Sequence, residues 1–201
     1  DWTSEYYRYS SEWMKSATQA VDLANAQIEK DDFSTEYDRQ MAKNLKEVAR
    51  VWRAYLMSEF SDNFGPLATE AFKGINPEFK SVKDVYYFII DELKDAASKI
   101  DVNLTPQDID KKFDRAYEFN FSKWVKYANS MRLRLAMRLS EVDTQKAKTE
   151  FEDAVKGPLI TEAGDIYSVK ERDGLDPLAG VMSRSWNALL MSNTLNNLMI
   201  N

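Results

Sequence analysis

The 201-residue sequence contains no cysteine and no histidine. Without cysteine there can be no disulfides, no thiolate catalysis and few kinds of structural zinc site. Without histidine the chain lacks the side chain used most often as general base, metal ligand and middle member of a nucleophilic triad. Catalysis would have to use carboxylate pairs, lysine, tyrosine or a Ser–Lys arrangement, and the spacing of the acidic residues singles out no pair. The sequence therefore predicts a binding protein with no catalytic residues, metal or cofactor.

Glycine and proline are also scarce, with 6 and 5 residues, whereas all-β folds need turn residues about every ten positions. The apolar and charged fractions of 44% and 30% are those of a globular protein. Apolar runs such as 188–191 are far shorter than the roughly 20 residues that cross a bilayer. The 27 basic and 33 acidic residues give a net charge of −6 and form no basic stripe, so nucleic acid is excluded as a partner.

Apolar residues recur at steps of three and four along several segments, the spacing of one helical face. They predict helices over 2–30, 35–60, 82–100, 122–141 and 144–155, and another from about 185 onward. Polar or aperiodic connections separate them at 62–80, 101–120 and 160–182. Paired helices with long intervening loops indicate an all-α, tetratricopeptide-like arrangement of helix hairpins, although no strict 34-residue consensus is present.

Aromatic residues cluster in the first helix at Trp2, Tyr6, Tyr7, Tyr9 and Trp13. Rings with polar tips suit the stacking of sugars. Four of these five residues share one helical stripe, however, and only Tyr7 lies off it. Packing between helices is therefore the favoured interpretation of the cluster.

Aromatic residues in the predicted loops have no helical face that would explain them as core. Tyr117 is the first candidate ligand contact, because Arg115 beside it could hydrogen-bond a sugar that stacks on the ring. Asn63, in the long loop after the second helix, and Trp186, at the start of the last predicted helix, complete the candidate binding set. For each loop aromatic taken singly, anchoring the loop to the body is the favoured interpretation, and ligand contact is the alternative.

The acidic series Asp108, Asp110 and Asp114 could suggest a calcium loop. Its sixth and twelfth positions are Phe113 and Phe119, where an EF-hand needs glycine and glutamate. The series is therefore interpreted as a solvated acidic loop.

Two stretches resemble SusD/RagB-type proteins. The run 49–71 is similar to a helix and loop in which the pattern T-D-x-Y-G-D-I-P-x-x-E-A recurs, with Pro66-Leu67 standing where the family has Asp-Ile-Pro. The run 123–143 is similar to the family's helix K-W-x-K-F-A-N-S-L-R-L-R-L-A-M-R-I-S-x-V-D. Residues 185–195 also fit, and the resemblance extends from about residue 35 to the end.

The resemblance implies a tetratricopeptide-like all-α fold in a protein anchored by a lipid to the outer face of the outer membrane. It also implies capture of a glycan, or in some members a peptide, for a SusC-type TonB-dependent transporter. Membrane attachment would use a lipid anchor that lies outside this sequence. Residues 1–201 are then expected to be a single SusD-like helical domain, truncated at both ends relative to the family. The alternative prediction is a helical-repeat adaptor that binds a protein and no carbohydrate.

Overall fold

The computed structural model describes residues 2–72, 77–168 and 197. The chain divides into two compact units, residues 1–168 and 169–201. Within the described part of the first unit, six α-helices and one 3-10 turn follow one another. They are α1 (Trp2–Lys30), α2 (Glu36–Phe64), α3 (Val82–Lys99), α4 (Asp108–Lys111), α5 (Phe121–Arg138), α6 (Thr144–Ala154) and the 3-10 turn Ala163–Asp165.

The first two helices form an antiparallel hairpin, because Tyr7 near the start of α1 contacts Phe60 and Phe64 at the end of α2. The side chain of Thr35 caps α2 by accepting a hydrogen bond from the amide of Asp38 (3.1 Å). Gly65 ends α2 with φ at 86°, a left-handed conformation in which a side chain would be strained. The hairpin therefore has defined ends.

Side chains also cap the three later long helices at their N-termini. Ser81 caps α3, Asn120 caps α5 and Asp143 caps α6, each accepting a hydrogen bond from an amide three residues later. Each of these helices packs on the one before it, in the order α1, α2, α3, α5, α6. The first unit is therefore a row of stacked helices.

The core runs along the middle of this row and is densest at α3. Aliphatic side chains from α2, α3 and α5 are wholly buried there, and burying each contributes roughly 1.5 to 3 kcal/mol. They are Val51, Val85, Ile89, Ile90, Leu93 and Leu135. Helix α3 is thus enclosed between α2 on one side and α5 on the other.

The all-α class is confirmed, and the stacked helices are consistent with a tetratricopeptide-like fold, while the helix-hairpin repeat itself stays a prediction. Among the described residues, β pairing is limited to one bridge between Leu67 and Lys80. The segment 101–120, expected to lack structure, contains the short helix α4. None of the described helices is long and apolar enough to span a bilayer. The expectation of a single domain stays a prediction, and the helix expected from residue 185 lies outside the described residues.

Candidate functional site

A groove of about 580 Å³ lies between α1 and α2. Its walls carry aromatic rings and small residues, with few hydrogen-bonding groups. The aromatic residues are Tyr6, Trp13, Trp52 and Tyr55, and the polar ones are Ser10, Ser16 and Glu59. Concave sites with mostly apolar walls and a few polar groups are typical of small-ligand binding.

The buried face of α1 is offset from its aromatic stripe, and this offset opens the groove. Met14, Ala17 and Val21 are buried, whereas Tyr9 and Trp13 are 45% and 51% exposed. The expectation of core or interhelical packing is therefore wrong for Tyr9 and only partly met by Trp13, which lines the groove between the helices. Tyr6 and Tyr7 do make interhelical contacts, both with Phe64.

The ring of Trp52 is held in place on the α2 wall. Tyr55 stacks on it with ring centres 5.0 Å apart and planes 30° apart, and Tyr167 stacks with 5.7 Å and 22°. Opposite, on α1, Trp13 stacks on Tyr9 at 6.4 Å. The groove therefore has a fixed, partly buried indole on the α2 wall and a half-exposed indole on the α1 wall, and aromatic walls of this kind suit the apolar C–H faces of sugar rings.

The hydroxyls of Tyr55 and Tyr167, beside the groove, remain protonated at neutral pH. Burial raises the pKa of Tyr55, and the charge of Glu59 raises it further. Burial also raises the pKa of Tyr167 to about 12. Both hydroxyls can therefore act as hydrogen-bond donors as well as acceptors.

A second pocket, of about 410 Å³, lies where the end of α2 meets the start of α3 and the end of α5. The hydroxyl of Tyr86 donates to Asp62 (2.5 Å), and Arg138 forms an ion pair with the same carboxylate. Burial raises the pKa of the Tyr86 hydroxyl, as does its hydrogen bond to Asp62. Because these polar groups pair with one another, the pocket is a less promising ligand site than the groove.

The α5 residues of the second family-like run are engaged in structural contacts. Four polar side chains of α5 hold the segment 158–165 against the helix. The contacts are Lys123 Nζ to the Gly164 carbonyl (2.6 Å), Lys126 Nζ to Asp165 (2.6 Å), Asn129 Nδ2 to the Pro158 carbonyl (3.3 Å) and the Ile160 amide to Ser130 Oγ (2.9 Å). This run therefore stabilises the fold.

The arginines of α5 also form ion pairs. Buried Arg132 donates to Glu150 (2.9 Å) and Asp153 (2.7 Å) of α6, and hydrogen bonds from Arg132 and Lys94 lower the pKa of Asp153 to about 2. Arg138 connects α5 to Asp62, so the two family-like runs meet at this pair. Among the described residues, no group of three acidic side chains could hold a metal ion.

Tyr117, the first candidate ligand contact, is only 7% exposed. Its hydroxyl donates to the Asp165 carbonyl (2.8 Å), and its ring meets Trp124 and Tyr167 edge to face. Burial raises its pKa. The structure therefore places Tyr117 where it anchors its loop, which is the interpretation favoured for loop aromatic residues.

The other candidates lie apart along the chain. Arg115 is an exposed residue of the loop that carries Tyr117, and it makes a contact of its own. Asn63 lies in the last turn of α2, where its side-chain amide Nδ2 donates to the backbone carbonyl of Glu59 (2.7 Å). Trp186 lies outside the described residues. The ligand role of all four residues stays a prediction.

Sequence reasoning missed the groove residues Trp13, Trp52 and Tyr55 as a set. Each fits a helical period, so each was explained as a packing residue. The sequence did contain a signal for the groove in the small residues Ser10, Ala17 and Ala20, which alternate with the aromatic positions. Small residues let the backbones of two helices approach, and the larger rings then lie at the side of the contact.

Comparison with solved structures gives relatives of the same architecture. A SusD homologue from Parabacteroides distasonis is 32% identical, with a TM-score of 0.66, over 79% of this chain and 30% of its own. A chitin-binding SusD homologue from Flavobacterium johnsoniae is 26% identical, with a TM-score of 0.66, over 82% of this chain and 33% of its own. The chain thus spans about a third of the length of these relatives. No curated protein matches it.

The sequence also matches a family model over residues 1–200, which is nearly the whole chain. That family is described as "Susd and RagB outer membrane lipoprotein". The match agrees with the stacked all-α fold and with the two runs joined by Asp62 and Arg138. The chain belongs to the SusD-like family.

Proposed function

We propose that this chain is the helical part of an outer-membrane lipoprotein that binds glycans and passes them to a SusC-type TonB-dependent transporter. Family membership supports the location, and the chitin-binding relative, at 26% identity, supports a glycan as ligand. The groove between α1 and α2 is the feature of this chain that best supports sugar binding.

Two indoles of the groove support the proposed sugar contact. Trp52 is fixed by stacking on Tyr55 and Tyr167, so a sugar that contacts the exposed part of the ring costs little side-chain entropy. Trp13 is 51% exposed and gains contact area on binding. Hydrogen-bonding groups such as Ser16 and Glu59 lie among the rings and can meet sugar hydroxyls.

Calorimetry on the intact protein tests the proposal, with chitohexaose, cellohexaose and xylohexaose as ligands. We expect one of them to bind, and Trp13→Ala to weaken that binding roughly tenfold, because a stacked ring contributes about 1 kcal/mol beyond its buried area. Phe113→Ala is the matched control, since Phe113 is a 71% exposed aromatic residue outside the groove. Equal binding by wild type and Trp13→Ala would show that the glycan site is elsewhere.

Partnership with the transporter needs a separate test. Affinity purification of the intact protein from outer membranes should recover a TonB-dependent β-barrel. Incubation of the same protein with a bound hexasaccharide should release no shorter sugar, as judged by mass spectrometry, because we propose binding without turnover. A shortened product would contradict the binding role.

A further inference from the structure

We propose that the groove between α1 and α2 selects against acidic glycan chains, because the Glu59 carboxylate disfavours chains bearing uronate or sulfate groups. The inference rests on the proposed glycan function and deepens it, because it specifies the class of ligand. Its basis is the distribution of charge around the aromatic rings.

Among the described residues that line the groove, Glu59 is the one with a charged side chain. The other described lining residues are aromatic, aliphatic, alanine or serine. A glycan stacked on Trp52 and Tyr55 would therefore lie near one negative charge. Sugar hydroxyls can donate to that carboxylate, whereas a uronate or sulfate would be repelled by it.

Partial burial and the lack of a nearby ion-pair partner among the described residues leave the negative charge of Glu59 able to act on a ligand in the groove. Glu59 is half-buried on α2, one turn after Tyr55, and its charge raises the pKa of the Tyr55 hydroxyl. Among the described residues, no lysine or arginine forms an ion pair with it within 4.0 Å. Partial burial lowers the effective dielectric constant, so the repulsion exceeds that of a fully exposed carboxylate.

Arg134 of α5 carries the positive charge that could offset the repulsion from Glu59. Its charge lowers the pKa of the Tyr55 hydroxyl, so its field reaches that wall of the groove. Arg134 is absent from the groove lining, however, and it acts from a different helix. The lining carboxylate therefore determines the sign of the charge that a bound sugar would meet. The net charge of −6 acts in the same direction at longer range.

The test compares three hexasaccharides of equal length on the intact protein: chitohexaose (neutral), fully deacetylated chitosan hexamer (cationic) and hexagalacturonate (acidic). At low ionic strength we expect the cationic chain to bind at least as tightly as the neutral one, and the acidic chain to bind most weakly. Glu59→Gln should tighten acidic binding about threefold to tenfold and should not tighten neutral binding, because glutamine keeps an acceptor oxygen for sugar hydroxyls but loses the negative charge. Salt near 1 M should remove most of the difference between the two proteins.

Glu152→Gln is the matched control, because it removes one negative charge at an exposed position paired with Lys148, outside the groove. It should leave all three affinities unchanged if the effect of Glu59 is local. Acidic binding as tight as neutral binding in the wild type, especially if Arg134→Gln abolishes it, would overturn the selectivity. Failure of all three chains to bind would instead overturn the proposed glycan function.

Discussion

At the scale of the single residue, Asp114 determines the conformation of the loop before α5. Its buried carboxylate accepts hydrogen bonds from the amides of Ala116 (2.9 Å), Tyr117 (3.1 Å) and Phe119 (2.9 Å) and from Trp124 Nε1 (2.7 Å). The same loop holds two consecutive non-glycine residues at positive φ, 53° and 55°. Such backbone costs on the order of 1 to 3 kcal/mol per residue, and the hydrogen bonds to Asp114 compensate for it.

Asp114→Ala should therefore lower the free energy of unfolding by about 3 kcal/mol, because it leaves several buried donors without a partner. Urea denaturation followed by circular dichroism measures this change. Asp108→Ala is the control, since the Asp108 side chain is 96% exposed, and it should change the stability by less than about 0.5 kcal/mol. An equal effect of the two substitutions would contradict the role given to Asp114.

The interpretation of this acidic series as a solvated loop is correct for Asp108 and wrong for Asp114. Sequence spacing argued against a calcium loop, but it gave no sign that one carboxylate would turn inward to an indole ten residues away. For Tyr117 the sequence favoured anchoring of the loop but could not show what the ring would contact; the loop folds onto α5 and buries the ring against Trp124. Contacts distant in sequence determine the burial of both side chains.

At the scale of helices, a network of charges joins α2 to α3. Arg50 donates to Glu92 (2.6 Å) and Asp95 (2.6 Å), Arg53 donates to Glu92 (2.8 Å), and Glu47 pairs with Arg50 within α2. Burial alone would raise the pKa of Glu92, but hydrogen bonds and charges from the two arginines outweigh it and lower the pKa below its usual value. The network therefore stabilises the helix pair while Glu92 is ionised.

The lowered pKa of Glu92 determines how its contribution to the free energy of unfolding depends on pH. A carboxylate whose pKa is lowered by folding stabilises the protein above its unfolded pKa, near 4.5, and loses that contribution as pH falls through the folded value. Glu92→Gln should lower the free energy of unfolding by on the order of 3 kcal/mol at pH 7, because it leaves two arginines less well paired. The difference in unfolding free energy between the variant and the wild type should become smaller as pH falls from 5 toward 3.

Urea midpoints of both proteins at pH 7, 5, 4 and 3 measure this narrowing. Glu152→Gln again serves as the control, because the Lys148–Glu152 pair is exposed at 3.8 Å and contributes little. A stability difference between variant and wild type that stays constant across this pH range would show that Glu92 acts by packing and not by its charge.

The helices themselves were predictable where apolar periodicity and capping residues agree. α1 was predicted at its observed bounds, and Ser81 and Asp143 mark the starts of α3 and α6. Which face of α1 is buried was not predictable, because its aromatic stripe and its small-residue stripe are adjacent and both follow the helical period. Packing against α2 favours the side that lets the backbones approach, and the groove results from that choice.

At the scale of the whole molecule, residues 1–168 form a row of helices in which each contacts its neighbours in sequence, α4 excepted. Stability in such an array depends mainly on contacts between adjacent helices. Helix α3 is the critical member, because its wholly buried residues lie between α2 and α5. Its burial should therefore depend on the presence of both neighbours.

Two fragments test this dependence. Residues 1–168 contain the buried core cluster, so we expect this fragment to keep its helical circular dichroism and to unfold in one cooperative transition. Residues 1–100 end after α3 and remove α5, which leaves apolar surface around Leu93 exposed to water. This shorter fragment should unfold without a clear transition and bind the dye ANS, as loosely packed chains do. Cooperative unfolding of the shorter fragment would show that α1, α2 and α3 form an independent folding unit, and that α5 is not required to complete the core.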